Sequence, residues 1–267
     1  MHLVNILVID NNNNDITFTR VNKLCQNLGL IIKVIKEDRL GLSFARNKAL
    51  NCCETPYALF LDDDCYPAED VVTQCIKWLE DDKFALVFGK VLKWSDYVPT
   101  WIHEDLFITN HPSDKICEVR KSHFAKGGIT LVKIDELNKI GGFDVNLGMK
   151  GEKIMYGEDT MVVEKLLNQE LPVFYDPSIK MFHRSHHSTI REFIFSFWSK
   201  GRSNNIVYNK ISILKTILNL IKSLFRFPLE FIRNLKKYTF KVALLLSLKH
   251  LVMSFSTLYY KLRNALK

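Results

Sequence analysis

A chain of 267 residues and 31.1 kDa, 47% hydrophobic and 25% charged, is long enough for one large core plus an appendage, which excludes a disordered, a collagen-like or a disulfide-stapled miniprotein chain. The net charge of +8 is unevenly placed: residues 201–267 carry 13 Lys and Arg against one acid, Glu230, whereas residues 1–200 carry 24 basic and 28 acidic residues. A slightly acidic body at 1–200 and a strongly basic helical tail at 201–267 therefore form two regions with different partners.

Residues 3–9 are a short apolar run with β-branched members that ends at Asp10, a strand pattern followed by an Asn-rich loop. Helical spacing of Val21, Leu24, Cys25 and Leu28 comes next, then a second strand at 31–35. Ser43 is placed to cap a short helix carrying Ala45, Ala49 and Leu50. Residues 57–61 form a third strand, halted by Asp62, and Pro67 suits the first turn of the helix that holds Val71, Val72, Cys75, Ile76 and Leu79. Residues 84–91 read as a strand again. Strands alternating with helices imply an α/β fold with a mostly parallel sheet flanked by helices, whose ligands collect beyond the carboxyl ends of strands. Asp10 and Asp62 both stand at such ends. The six cysteines show no CxxC spacing and are expected as buried thiols of a reduced, cytosolic protein; Asp10, Asn11 and Asp15 interrupt any N-terminal signal segment.

Beyond Ser188 the pattern is helical. Phe193, Phe197, Trp198 and Ile206 lie along one helix, 211–225 along another, with a break at Pro228, and 238–262 along a third. Residues 242–260 are apolar except for Lys249 and His250. A spanning helix wants about 20 apolar residues, and a central lysine costs about 2.5–3.5 kcal/mol on insertion. The segments at 211–225 and 228–235 set Lys or Arg every few residues beside Leu, Ile and Phe, the pattern of helices lying on an anionic membrane surface. Packing on the body with solvated Lys faces, or a span at 242–260, are the alternatives. Nucleic acid is a poor partner, since no binding motif is present and the basic residues interleave with large aliphatics.

The sharpest chemical signal is the acidic triplet Asp62-Asp63-Asp64 directly after a buried strand. Crowded carboxylates want a cation, and hard oxygen donors at this spacing suit Mg²⁺ or Mn²⁺. A solvated turn that caps the next helix would use the same residues. Gly157-Glu158-Asp159 opens a helix, where acids complement the dipole or, within reach of a hydroxyl, act as a general base. His183 follows a Tyr175-Asp176-Pro177 turn and an apolar strand at 179–182, with Arg184, His186 and His187 beside it. The glycine pairs at Gly127-Gly128, after Lys126, and at Gly141-Gly142 permit close backbone approach to a ligand or a tight turn. Trp94, Pro99 and Trp101 form an aromatic segment that stacks on a ligand or anchors a loop.

Taken in order, Val8-Ile9-Asp10 through Asp15, Gly41 to Arg46-Asn47, Asp62 to Pro67, Gly141-Gly142-Phe143-Asp144, Gly157-Glu158-Asp159 and His183 resemble the motif series of family 2 glycosyltransferases of GT-A fold, over roughly residues 3–210. The resemblance implies that Asp10 binds the nucleotide base and that Arg46 contacts the nucleotide. It places Asp62 and Asp63 at the donor, and Asp64, with His183, on a Mn²⁺ or Mg²⁺ ion. It makes Asp159 the catalytic base and sets Glu158 beside it as a positioning group. The implied activity is inverting transfer of a sugar from a nucleotide-sugar, expected to be UDP-linked, to a glycan or lipid-linked acceptor in surface polysaccharide or glycolipid synthesis. The implied location is cytoplasmic, peripheral on the inner face of the membrane. A degenerate, non-catalytic nucleotide- or glycan-binding protein and a nucleotidyltransferase are the rival readings. The family pattern also begins with a strand ending near P-x-Y-N and a helix, a unit of about 30 residues that does not precede residues 3–9 here. The expectation is an interior strand position left open beside that strand.

Overall fold

The computed structural model of the chain describes residues 4–12, 16–28, 32–94, 113–122, 127–151, 154–183, 189–208 and 211–266. Strands and helices alternate at first: β1 (Ile6–Asp10), α1 (Ile16–Leu28), β2 (Ile32–Lys36), α2 (Leu42–Cys52) and β3 (Tyr57–Leu61). The short β4 (Cys65–Pro67) leads to α3 (Val71–Asp81), β5 (Leu86–Lys93), β6 (Cys117–Glu118), β7 (Ile129–Lys133) and α4 (Ile134–Lys139). Then come α5 (Glu158–Asn168), β8 (Val173–His183) and three long helices, α6 (Ile190–Val207), α7 (Ile213–Leu235) and α8 (Phe240–Ala265). The boundary read at 200/201 falls inside α6.

Alternation along the strands builds a core on each side of the larger sheet. Phe60, Leu86, Phe88, Val132 and Tyr175 face Leu50 of α2, Leu137 of α4 and Val162 and Leu166 of α5. Their neighbours Leu59, Val87, Leu131 and Met181 face Val71 and Cys75 of α3.

The sheet is flanked by helices, as expected, but its pairing is mixed rather than mostly parallel. Strand order is β3–β7–β5–β8–β4, with β6 also on β8. β3, β5 and β8 run in one direction, β7 lies antiparallel between β3 and β5, and β4 and β6 run antiparallel on β8. Apolar runs such as 129–132 mark a buried strand, but burial is the same whichever way the strand points, so the pattern carries no direction.

β1 and β2 form a separate parallel pair, Ile6 opposite Ile32 through Asp10 opposite Lys36. Among the described residues β1 and β3 do not pair. Instead Ile6 to Ile9 on one side and Tyr57 to Leu61 on the other line a single open cleft of about 2790 Å³. Ala45 and Ala49 of α2 and Val72 and Ile76 of α3 also line it. Consecutive residues of two facing strands line this space, so both present unpaired backbone edges to it. Ile6 and Leu61 are exposed where strands of a helix-covered parallel sheet are ordinarily buried. Among the described residues, an open strand position therefore lies between β1 and β3, beside residues 3–9.

Four local expectations give way. Ser43 does not cap α2: the cap position is Gly41, and the buried Ser43 hydroxyl donates to the Leu147 carbonyl at 2.8 Å. Pro67 ends β4 instead of starting a helix; α3 begins at Val71, because pairing of Tyr66 with Phe182 holds the segment extended. The turn expected at 175–177 is a bulge inside β8, where the register to β5 slips between Gly89 and Lys90 and Asp176 accepts from Trp78 Nε1 at 2.8 Å. Pro228 does not break the helix; α7 runs through it. All six cysteines are free thiols, but only Cys25 and Cys75 are fully buried.

Candidate active site

The site is assembled around Arg46, a buried cation on α2. Its Nη2 donates to Asp62 Oδ1 at 2.9 Å, just past the end of β3. Its Nη1 reaches Asp159 Oδ1 at 2.8 Å and Glu158 Oε1 at 3.3 Å, both in the first turn of α5. Carboxylates separated by about a hundred residues in sequence therefore meet on one guanidinium, which lies 5.3 Å from the centre of the Phe143 ring. Neither acid of α5 makes a side-chain cap bond to its helix; both turn to the arginine, while their place in the first turn also complements the helix dipole.

Three carboxylates around one cation leave an excess of negative charge in a buried place. Burial pushes Glu158 up to about 8, Asp159 adds to that, and Arg46 partly opposes it. Asp159 is raised as well, by burial first and by Asp62, again against Arg46. Burial works against the Arg46 charge, but Asp159, Asp62 and Glu158 outweigh it and keep the arginine charged. A carboxylate whose proton affinity lies nearer neutrality is a better proton acceptor than an ordinary aspartate. The second oxygen of Asp159 faces Gly127, where any side chain would collide with the carboxylate. Only a residue without a side chain leaves room for the carboxylate there.

Asp62, Asp64, Cys65 and His183 bring one donor atom each within 4.8 Å of the others. The sheet explains this: β4 pairs with β8 so that Cys65 stands directly opposite His183. Asp64 Oδ1 lies 3.4 Å from His183 Nε2. The Cys65 thiol donates to Asp64 at 3.4 Å, and burial together with Asp64 and Asp62 pushes it far up, so it stays protonated. What remains is two carboxylates and an imidazole, a donor set that suits Mn²⁺ or Mg²⁺ and leaves positions for other ligands. Asp63 is exposed at the turn, lines the cleft and is not part of this donor group.

Asp10 stands at the far side of the same cleft. Its Oδ1 accepts from the Asn12 amide at 3.1 Å, while the buried Oδ2 has no partner among the described residues. A buried carboxylate oxygen without a donor is costly unless a ligand supplies one. The Asn run, read only as a loop, contains a structural residue: Asn11 Nδ2 donates to the carbonyls of Glu37 and Arg39, and its Oδ1 accepts from the Gly41 amide at 2.7 Å. Asn47 has a like role, gripping the Phe143 amide and carbonyl at 2.8 Å each and so docking the Gly-Gly-Phe turn on α2. Trp94 packs against Tyr66 with ring centres 6.0 Å apart. Asp15, Pro99, Trp101, Lys126, Arg184, His186 and His187 lie outside the described residues.

Comparison with known proteins gives the family and the fold. The family described as Glycosyl transferase family 2 matches residues 2–141. A glucosyl-dolichyl phosphate glucuronosyltransferase of Haloferax volcanii is 21% identical over 213 residues, 76% of this chain and 66% of that protein. Among solved structures, the mannosyltransferase PcManGT of Pyrobaculum calidifontis, in complex with GDP-Man and Mn²⁺, superposes with a TM-score of 0.53 at 16% identity, covering 98% of this chain and 65% of that one. GalNAc-T7 with UDP, GalNAc and Mn²⁺ does so with a TM-score of 0.52 at 13% identity, covering 75% of this chain and 41% of that one. These likenesses show the GT-A fold, and the chain spans less than two thirds of each of the three proteins.

Proposed function

This chain belongs to glycosyl transferase family 2, and from that premise we propose that it moves a sugar from a nucleotide-sugar to an acceptor hydroxyl with inversion at the anomeric carbon. One observation carries the reading: Asp62, Glu158 and Asp159 converge on Arg46 beside the Asp64–His183 donor group, in one cleft that Asp10 also lines. The comparison proteins are solved with UDP or GDP-Man and with Mn²⁺. UDP is the nucleotide we assign here, with Asp10 Oδ2 accepting from the base.

In this mechanism the acceptor oxygen attacks the anomeric carbon in line with the bond to the diphosphate. That bond breaks, and the diphosphate leaves with the electron pair. The acceptor proton passes to Asp159 Oδ2, the oxygen beside Gly127. Glu158 and Arg46 hold Asp159 in place and set its proton affinity. Asp64 and His183, with Asp62, would hold Mn²⁺ or Mg²⁺, which when bound offsets negative charge on the leaving group. Asp63 lies at the rim, where we place it toward the donor.

The acceptor is a glycan or a lipid-linked one, in surface-glycan synthesis, and the chain works on the cytoplasmic face of the membrane, held peripherally by its basic tail. The glucuronosyltransferase relative is named for a dolichyl phosphate-linked sugar, which supports a lipid-linked acceptor. Incubation with UDP-sugars and Mn²⁺ tests the chemistry. Release of UDP from one donor, lost in Asp159→Asn, is expected. Binding of UDP without turnover of any donor would favour a non-catalytic binding protein, and release of pyrophosphate a nucleotidyltransferase.

A further inference from the structure

We propose that the outer face of α7 is a membrane-docking surface that lies flat on an anionic bilayer, with α8 as its inner support rather than as a spanning helix. This rests on the reading of the tail as membrane-binding, and not on the transferase chemistry.

α7 buries polar side chains and leaves a run of large apolar ones exposed. The side chains it turns toward α8 include several polar ones, beside the half-buried Leu220, Phe227 and Phe231, the last edge-on to Phe240 of α8 with ring centres 5.4 Å apart. Thr216 and Glu230 are buried, Ser223 shares a hydrogen bond with Ser254 at 2.8 Å, and Asn234 Nδ2 donates to Ser247 Oγ at 3.0 Å. The side chains it turns outward are apolar. Leu214, Leu218, Ile221, Phe225, Leu229 and Ile232 follow one another at steps of three or four residues, so they form one stripe. Leu214 is 67% exposed, Phe225 76% and Leu229 70%. A helix that exposes a continuous apolar stripe is suited to an apolar environment on that side.

The charges identify that environment. Lys215, Lys222, Arg226 and Arg233 recur at steps of seven, four and seven residues, forming a second, exposed stripe along one border of the apolar one. Lys236, Lys237 and Lys241 extend it past the end of α7, next to the exposed Phe240. Glu230, the one acid of residues 201–267, is buried and paired with Arg226 at 2.7 Å. Apolar side chains bordered by a row of cations, with a single acid in residues 201–267 to offset them, fit a surface of acyl chains under phosphate headgroups.

α8 is long and apolar enough to cross a membrane by length and composition. Its contacts assign it differently. Ser256 Oγ donates to the Trp198 carbonyl at 2.6 Å and Thr257 Oγ1 to the Gly201 carbonyl at 3.0 Å, both on α6. Val242, Ala243 and Leu245 are buried as well. Crossing a bilayer would strip α8 from both neighbours, whereas docking through α7 leaves the packing intact. α6 then connects this platform to the active site, since Ser203 Oγ accepts from the Tyr156 amide at 2.8 Å, just before Glu158.

Co-sedimentation of the full chain with vesicles, in the absence of any donor sugar, tests the proposal. The wild-type chain should pellet with phosphatidylcholine vesicles containing about 30% phosphatidylglycerol and be partly released by about 0.5 M NaCl. Phe225→Glu with Leu229→Glu should lower vesicle partition at least about tenfold, without changing thermal unfolding in lipid-free buffer, because both side chains are exposed. Lys222→Gln with Arg233→Gln should weaken binding to anionic but not to neutral vesicles. Wild-type partition in the Phe225→Glu/Leu229→Glu variant would overturn the assignment to α7 while leaving a membrane-binding tail. A wild-type chain that never pellets with anionic vesicles would overturn both. A dimer that the same double variant dissociates, with no vesicle binding, would assign the face to a second copy instead.

Discussion

Arg46 is the residue on which the site depends, because it is the buried positive charge to which Asp62, Glu158 and Asp159 are all paired. Asp159→Asn keeps the shape of the side chain and removes its ability to take a proton. Transfer should fall at least about 100-fold with donor binding retained, as steady-state kinetics and calorimetry on the same sample would show; normal turnover would move the base elsewhere. Glu158 gives a second test, through stability. Its folded-state pKa is raised to about 8, so the folded chain keeps a proton that the unfolded chain releases above its ordinary value of 4.5. The associated stability is therefore fully present below pH 4.5 and is lost as pH rises through 8. Glu158→Gln, which stays neutral, should gain thermal stability relative to wild type as pH is raised from 5 to 9. A difference in melting temperature that does not change across that range would show that Glu158 is not held protonated.

At the scale of elements, the way the helices pack explains both what the sequence discloses and what it hides. β3 is read from sequence to the residue, because its apolar run is halted by Asp62. Asp10, Arg46, Asp62, Asp64, Glu158, Asp159 and His183 are legible as a set through the order of their motifs, and the fold brings them into one cleft. Their partnership with Arg46 is not legible, since spacing along the chain does not say which carboxylates share a cation. Pro67 and Pro228 mislead for a common reason: local rules assign proline to helix starts or breaks, while a β4–β8 pairing and the packing of α7 on α8 override them. Asn11 and Asn47 pass unnoticed because polar loop residues look alike until their backbone partners are known. The close approach of α6 and α8 at Gly201 is a further case. A Cβ there would meet the Met253 carbonyl and the Ser256 side chain. Gly201→Ala should therefore destabilise the chain by about 1–3 kcal/mol through overpacking, despite the helix propensity of alanine. A rise in melting temperature would contradict this packing.

For the molecule as a whole, the open position between β1 and β3 sets the main liability. Two facing strand edges with apolar helices on either side are a template for pairing with other chains. The chain should associate with rising concentration, and Ile6→Lys with Leu61→Lys, both at exposed positions lining the cleft, should reduce that association. Sedimentation velocity in a Phe225→Glu/Leu229→Glu background separates this edge from the α7 face. Monomer at every concentration in that background would show the edges to be inert.

The central claim is that Asp62, Asp64 and His183 hold a metal beside a nucleotide diphosphate in this cleft. Calorimetric titration of UDP into the full chain, with Mn²⁺ and then with EDTA, tests it most directly. Mn²⁺ should tighten UDP binding, and Asp64→Ala should abolish the difference while the chain remains folded. Equal UDP affinity with Mn²⁺ and with EDTA, or a metal effect that survives Asp64→Ala unchanged, would contradict it.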